Sequence, residues 1–549
     1  MKQTILKIHP GDNVWVALQD IPAGADVHCD GVTVTAIRNV EAKHKISAQE
    51  LQKDSPVIMY GVLVGLANDT IPAGELITTK NIRHASGSFA VKGERHNEWT
   101  APDISPWKNR HFEGYHRTDG RVGTGNYWVI IPLVFCENRN VQLLHEILVK
   151  ELGYRKQHSY ETMLQQLLQD FRSGKDSSNI ADSSDGEGIV LQGRTFANID
   201  GIKLLTHTMG CGGTKQDART LCGLLAGYIT HPNVAGATVL SLGCQNAQID
   251  MLKEEIEKRV PGFDRTVIFL EQQQLGSEKA LMTQAIRQTF DGLTKANNQQ
   301  RQPAPLSKLC IGMECGGSDG FSGISANPAV GRVADMLVAL GGSVILSEFP
   351  ELCGVEQELS DRCINTDLAG RYLQLMRDYA SRAEAVGSGF DSNPSAGNIR
   401  DGLITDAIKS AGAAKKGGSS PVTDVIDYPG WVQHPGLALL CTPGSDVEST
   451  TAEVGAGANV VLFTTGLGTP TGNPVTPVIK LSTNSKLAAK MQDIIDLDTG
   501  TIISGDASIN DVAADILELV IATASGQYST KAQQLGQDDF IPWKRGVSL

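Results

Sequence analysis

The sequence predicts a multidomain α/β protein in which a small N-terminal β-clip module precedes two α/β domains. Three observations carry this expectation. The chain has 549 residues, and at about 150 residues per folded unit that length calls for three or four units. Its opening segment consists of short alternating apolar runs cut by Pro-Gly and Asp-Gly turns, the mark of small strands. From Gly114 onward, apolar runs alternate with helical stretches, as in a sheet whose strands are joined by crossover helices.

In chain order, residues 1–90 form the β module, with runs at Ile5 to Ile8, Val14 to Leu18, Val32 to Ile37 and Val57 to Leu66. It contains an internal echo. Asp20-Ile-Pro-Ala-Gly24 returns as Asp69-Thr-Ile-Pro-Ala-Gly74, each time followed by an acidic or small residue and an apolar pair. Two copies of one turn suggest a pseudo-symmetric clip, since a solenoid needs at least three repeats. Residues 86–112 are polar, carry two prolines and lack a period, and read as a linker. Residues 113–300 make the middle α/β domain, interrupted at 171–200 by a Ser/Asp/Gly-rich insertion. A polar break at 296–307 leads into the C-terminal α/β domain, 301–549.

Composition narrows the function. Lys plus Arg total 48 against 61 Asp plus Glu, a formal charge of −13. A field of that sign gives no help in binding nucleic acid. An anionic ligand would therefore need a local cationic cluster or a metal. The longest apolar runs, such as Val57 to Ala67, are too short for a membrane span. The opening residues, Met1 to Asn13, turn polar too early for a secretory signal, so the expectation is a cytoplasmic protein. The ten cysteines include no C-x-x-C pair, which argues against zinc ribbons and dithiol redox motifs. The 58 glycines suit a site built on tight loops.

Five apolar runs end in cysteine: Tyr127 to Cys136, Lys203 to Cys211, Thr238 to Cys244, Lys308 to Cys315 and Leu437 to Cys441. Ligands of open α/β sheets bind outside the carboxyl ends of the strands. Any one of these thiols reads first as a small core residue; the set invites a metal or substrate contact. His207-Thr-Met-Gly-Cys211 offers imidazole and thiolate, both ligands for Fe²⁺ or Zn²⁺, able to meet Cys244 and Glu314-Cys315 from neighbouring loops. A lone histidine is otherwise structural. Glu314-Cys-Gly-Gly-Ser-Asp-Gly-Phe-Ser-Gly323 is the richest loop, with main-chain N–H groups able to form an anion nest beside Ser318 and Asp319. It also fits G-x-S-x-G at Gly316, Ser318 and Gly320, but only His434 follows as a partner for a serine hydrolase. Lys43-His44-Lys45 reads as a solvated basic turn, or as a histidine kept neutral by flanking ammonium groups and free to act as base or ligand. Near-matches to nucleotide loops at 412–419 and 466–472 lack the lysine or the spacing they need.

These motifs resemble one family. Residues 114–124, His207-x-x-Gly-Cys211, Gly243-Cys244, the loop 314–328, Asn393-Pro-Ser-Ala-Gly-Asn398 and Thr464-Thr-Gly-Leu-Gly-Thr469 are similar, in order, to the altronate/galactarate dehydratases. The N-terminal segment around Lys43-His44-Lys45 resembles that family's SAF-type β-clip module. The resemblance implies removal of water from a sugar acid, D-altronate to 2-keto-3-deoxy-D-gluconate, with galactarate or another aldonate or aldarate as the alternative. It also implies a divalent metal, Fe²⁺ with Mn²⁺ as the substitute. One departure stands out: altronate members carry cysteine a few residues after Lys409-Ser410, where this chain has Ala413, as galactarate members do.

Under this resemblance His44 and Lys45 are the expected catalytic pair. His207, Cys211, Cys244 and Cys315 are the expected metal ligands. Arg121, Ser318, Asp319, Asn327, Asn393 and Asn398 are expected to bind the substrate. The expected partner is a small sugar acid, with no nucleic acid and no membrane; the sequence leaves a homo-oligomer open. Outside the class stand a serine hydrolase using Ser318 and a non-enzymatic sugar-acid binding protein.

Overall fold

The computed structural model describes residues 3–92, 99–157, 159–174, 189–190 and 193–548. Part of the expected linker (93–98) and most of the expected insertion (175–188 and 191–192) lie outside the described residues. No described helix is long and apolar enough to cross a membrane.

The N-terminal module is built of short strands from Ile5–Leu6 to Ile82–Arg83, arranged as a four-stranded sheet, a three-stranded sheet and a hairpin. Its repeated turn occurs four times. Ala25 donates to Pro22 O, His44 to Glu41 O, Ser55 to Gln52 O and Glu75 to Pro72 O, each closing a four-residue turn. The third residue of each turn has positive φ: Gly24 (80°), Lys43 (78°), Asp54 (61°) and Gly74 (83°). Bridges Ile21↔Val40 and Leu51↔Ile71 tie the turns in pairs. Only the two glycine copies are visible as a sequence echo, because glycine alone takes this conformation without penalty.

The middle domain holds a parallel sheet ordered Gly201–Leu204, Tyr127–Pro132, Val234–Ser241, Thr266–Glu271. Its two central strands are buried throughout, which explains their unbroken apolar runs. The strand His111–His116 begins just inside the expected linker and pairs with Gln302–Pro305, joining the middle domain to the start of the C-terminal one. Ahead of it, Trp107 and Arg110 both donate to Glu518, so this stretch is fixed against the C-terminal domain.

The C-terminal domain is a seven-stranded, all-parallel sheet. From one edge to the other its strands are Val422–Asp427, Gly436–Cys441, Ser343–Leu346, Cys310–Cys315, Val460–Thr465, Val478–Ser482 and Leu497–Asp498. The chain begins in the centre at Cys310–Cys315, builds outward on one side, then returns to the other side with Val460–Thr465. That reversal opens a crevice beyond the end of the central strand, where ligands of such sheets bind. One apolar core runs from Val57, Met59 and Val64 of the β module to Met313 and Val333, and another joins Leu221 and Tyr228 of the middle domain to Phe463 and Val478. The β module and the middle domain therefore each share a core with the C-terminal domain, and each keeps a smaller core of its own.

Candidate active site

The central strand ends in Glu314-Cys315, and its neighbour Ser343–Leu346 runs on into Ser347-Glu348. At Glu348 the backbone turns left-handed (φ 62°, ψ 54°). For a non-glycine residue this costs about 1–3 kcal/mol and persists only where surroundings enforce it. Here Thr442 Oγ1 accepts from Glu348 N at 2.8 Å and Thr442 O accepts from Phe349 N at 3.2 Å. The bend throws the Glu348 carboxylate back over the strand end, where its Oε2 accepts from Cys315 N (3.3 Å) and Lys416 Nζ (2.5 Å). A short 3-10 turn, Phe349–Leu352, then presents Glu351.

Glu351 Oε1 accepts from Lys409 Nζ at 2.5 Å and from Asn393 Nδ2 at 3.0 Å, and Lys409 also donates to Asn393 Oδ1 at 3.0 Å. The Cys315 thiol faces both acids, 3.7 Å from Glu348 Oε2 and 3.6 Å from Glu351 Oε2. Lys409 and Lys416 come from the helix Asp406–Ala413 and the 3-10 turn that follows it, Ala414–Gly417. A cavity of about 510 Å³ opens onto Cys315, Glu351, Asn393, Asn398, Lys409 and Asp446, a size usual for small-ligand sites.

Charge is unbalanced here. Glu314, Glu348, Glu351 and Glu453 are all buried, while Lys409 and Lys416 are the cations paired with Glu351 and Glu348. Burial, reinforced by the Glu348 and Glu453 charges, holds the Glu314 carboxyl well above its ordinary value. Burial also pushes Glu453 up to about 8. Asp446 rises to about 7, through burial first and then the Glu348 and Glu351 charges. Burial pulls Lys416 down, but the Cys315, Glu348 and Glu314 charges outweigh it and keep the ammonium well above its usual value. Glu348 Oε1 is buried without a hydrogen-bond partner.

This chemistry fits a divalent cation. The ligand atoms of Cys315, Glu348 and Glu351 lie within 4.8 Å of one another, all three residues buried. One thiolate and two carboxylates form a mixed donor set suited to Fe²⁺, Mn²⁺ or Zn²⁺. An unpartnered acidic oxygen and surplus negative charge are what an ion would relieve.

Three residues expected from the sequence meet at this cavity: Cys315, Asn393 and Asn398. Asn398 donates to Ser318 O at 2.7 Å, so the glycine-rich loop forms the adjoining wall. Asp319 is buried and accepts from Ser322, Thr483, Asn484 and Lys43. Asn327 donates to Gly412 O and accepts from Thr464, tying the helix start to two neighbours. Both these side chains are engaged as tethers. Ser318 is buried, whereas His434 is exposed on a separate loop.

The other expected metal ligands lie elsewhere. His207 belongs to the middle domain, where Nδ1 accepts from Met209 N (3.1 Å) and Nε2 donates to Pro132 O (2.7 Å). Burial lowers it to about 4, so the ring is neutral and both nitrogens are engaged by backbone. Cys211 and Cys244 are exposed at that domain's strand ends. Among the described residues, Cys315 therefore groups with Glu348 and Glu351 and not with His207, Cys211 and Cys244. Arg121 pairs with Asp119 and donates to Thr230 O, on the turn after His111–His116.

The turn bearing His44 and Lys45 docks on the C-terminal domain. Gly320 and Gly402 make room for it: a Cβ on either would lie 2.3–2.4 Å from Lys43 O. Lys45 Nζ donates to Lys43 O (3.0 Å) and Gly402 O (2.6 Å), and burial lowers its pKa to about 7. Lys43 Nζ bridges Asp319 (3.0 Å) and Asp401 (2.8 Å). His44 Nδ1 lies 3.3 Å from Ala42 O, on the module's own turn.

Sequence reasoning missed Glu348, Glu351, Lys409, Lys416 and Asp446 as site residues. A signal existed: Ser347-Glu-Phe-Pro-Glu351 follows an apolar run, just as the strand-end cysteines do.

Comparison with known proteins agrees along the whole chain. Family models match in sequence: the altronate/galactarate dehydratase SAF domain over residues 3–85, the D-galactarate dehydratase/altronate hydrolase second domain over 114–297, and the D-galactarate/altronate dehydratase C-terminal domain over 306–548. The altronate dehydratase of Bacillus subtilis (strain 168) is 32% identical over 553 residues, covering 100% of both chains. That of Escherichia coli (strain K12) is 32% identical over 544 residues and 99% of both. The galactarate dehydratase (L-threo-forming) of Escherichia coli (strain K12) is 29% identical over 97% of this chain and 94% of its own. With the domain order, the loop 314–328 and full-length relatives in agreement, this chain belongs to the altronate/galactarate dehydratase family.

Proposed function

We propose that the protein is a hydro-lyase that removes water from a sugar acid, D-altronate to 2-keto-3-deoxy-D-gluconate. The observation that carries this reading is the buried Cys315–Glu348–Glu351 cluster, opened by Lys409 and Asn393 onto a cavity at the sheet's crevice. Two full-length relatives bearing the name altronate dehydratase favour altronate over galactarate.

The chemical difficulty is the C2 proton of a hydroxy acid, which is released only if charge growing on the carboxylate is stabilised. Cys315, Glu348 and Glu351 would hold the divalent ion, Fe²⁺ or Mn²⁺, which supplies Lewis-acid stabilisation of that charge. The Lys409 ammonium adds a second positive charge facing the cavity, and Asn393 and Asn398 orient hydroxyl groups. Asp446, balanced near neutrality, takes the C2 proton as a carboxylate. The same carboxyl then protonates the departing C3 hydroxyl; water leaves, and the enol tautomerises to the keto acid. In this scheme the Lys43-His44-Lys45 turn acts by fixing the wall at 319–320 and 401–402. On this reading the reaction takes place in the cytoplasm, where the chain's ten cysteines would stay reduced.

The test is keto-acid formation over a panel of aldonates and aldarates, with Fe²⁺, with Mn²⁺ and without metal. Altronate turnover that depends on metal supports the reading. Turnover of galactarate alone moves the substrate, and keto-acid formation from no member of the panel overturns the reading.

A further inference from the structure

We infer that His84, Cys353 and Asp406 form a second metal site, for a borderline divalent ion such as Zn²⁺, that fastens the β module to the active-site loops. The ligand atoms of these residues lie within 4.8 Å of one another. The set is not a run of surface acids: imidazole, thiol and carboxylate come from three segments far apart in sequence. His84 follows the module's last strand, Cys353 follows the turn bearing Glu351, and Asp406 opens the helix bearing Lys409.

Two independent features point to an ion. Asp406 is 4% exposed, and its Oδ2 is buried with no hydrogen-bond partner, while Oδ1 pairs with His84 Nδ1. A carboxylate oxygen left in that state costs free energy unless a cation approaches it. A cleft of about 280 Å³ lined by Arg83, His84, Asp391, Thr405 and Asp406 gives an ion a route from solvent. Cysteine, histidine and carboxylate together are a zinc-type donor set. Glu356, buried and held by the N–H of Gly354 at 2.7 Å, adds a further acidic group beside Cys353 and Asp406.

The surroundings support the ligands as such sites require. Thr405 caps the helix by accepting from Ile408 N and donates to Val64 O in the β module. Gly354 (φ 95°) lets three segments close up: a Cβ there would lie 3.2 Å from Ala407 Cβ and 3.5 Å from Ser86 Cβ. An ion here would fix Glu351 and Lys409 through residues two and three positions away, without touching substrate.

The test uses the full chain, stripped with chelator and equilibrated with Zn²⁺ alone, bound metal being counted by mass spectrometry. His84→Ala and Cys353→Ser should each bind one equivalent less than wild type at equal free zinc. With Cd²⁺, Cys353→Ser should lose thiolate charge-transfer absorbance that Cys315→Ser retains. His84 is partly exposed, so its alanine variant tests the site even if Cys353→Ser folds poorly. Wild-type zinc stoichiometry in His84→Ala overturns the inference. Because zinc is counted without turnover, this result is separate from the fate of the proposed reaction.

Discussion

Lys409 Nζ and Glu351 Oε1 stand 2.5 Å apart, their side chains 9% and 2% exposed. A pair so buried is held by mutual neutralisation, and removing one partner strands the other charge out of water. Lys409→Met should therefore destabilise the fold by about 3–5 kcal/mol and abolish activity. Denaturant unfolding of Lys409→Met, Glu351→Gln and the double variant checks this. The double variant should be less destabilised than the sum of the singles, because no unpaired charge remains.

Asp446 should set the pH dependence. Its folded value of about 7 stands above the ordinary aspartate value. A carboxylate acting as base requires the deprotonated form, so kcat/KM should rise with pH through about 7. Asp446→Asn should lose about 10²- to 10⁴-fold in kcat and flatten that limb. Stability runs the other way. Between about 3.9 and 7 the folded metal-free protein holds a proton that the unfolded chain has released. Stability contributed by this group is fully present below that window and is lost as pH rises through it, a slope that Asp446→Asn should remove.

Metal removal gives a third check. Chelation should abolish keto-acid formation and Fe²⁺ or Mn²⁺ should restore it. Cys315→Ala and Glu351→Ala should each lower affinity for the added ion by at least about tenfold, since loss even of supporting residues costs that much. Direct titration of Mn²⁺ followed by electron paramagnetic resonance measures it.

Lys43 offers a test of the docked turn. It takes φ 78° where two of the equivalent turns use glycine. Burial pulls its ammonium down, but the Asp319 and Asp401 carboxylates outweigh burial and hold it above its ordinary value. Lys43→Ala loses this bridge and keeps the strained backbone. Lys43→Gly loses the bridge and relieves the strain, so it should be more stable than Lys43→Ala by about 1 kcal/mol. Thermal melting of the two variants side by side decides it.

The architecture was legible because parallel strands buried on both faces leave unbroken apolar runs, such as Tyr127–Pro132 and Gly436–Cys441, spaced by helices. The fourfold turn was only half legible: Lys43 and Asp54 adopt the glycine conformation without being glycine. Cys315, Asn393 and Asn398 stood out because they sit in distinctive loops at the crevice. Glu348, Glu351, Lys409 and Lys416 did not, since ordinary charged residues on separate elements converge only through the strand order. His207 drew notice by residue type, yet both its nitrogens are engaged by main chain. Nothing local in the sequence distinguishes a ligand from a histidine so satisfied.

The most direct measurement is keto-acid production from D-altronate by wild type, Glu351→Gln and His207→Ala, each supplied with Fe²⁺ and confirmed folded. A catalytic centre at Cys315, Glu351 and Lys409 predicts turnover by wild type, a loss of at least about 100-fold in Glu351→Gln, and retained turnover in His207→Ala. Wild-type rates in Glu351→Gln would contradict it.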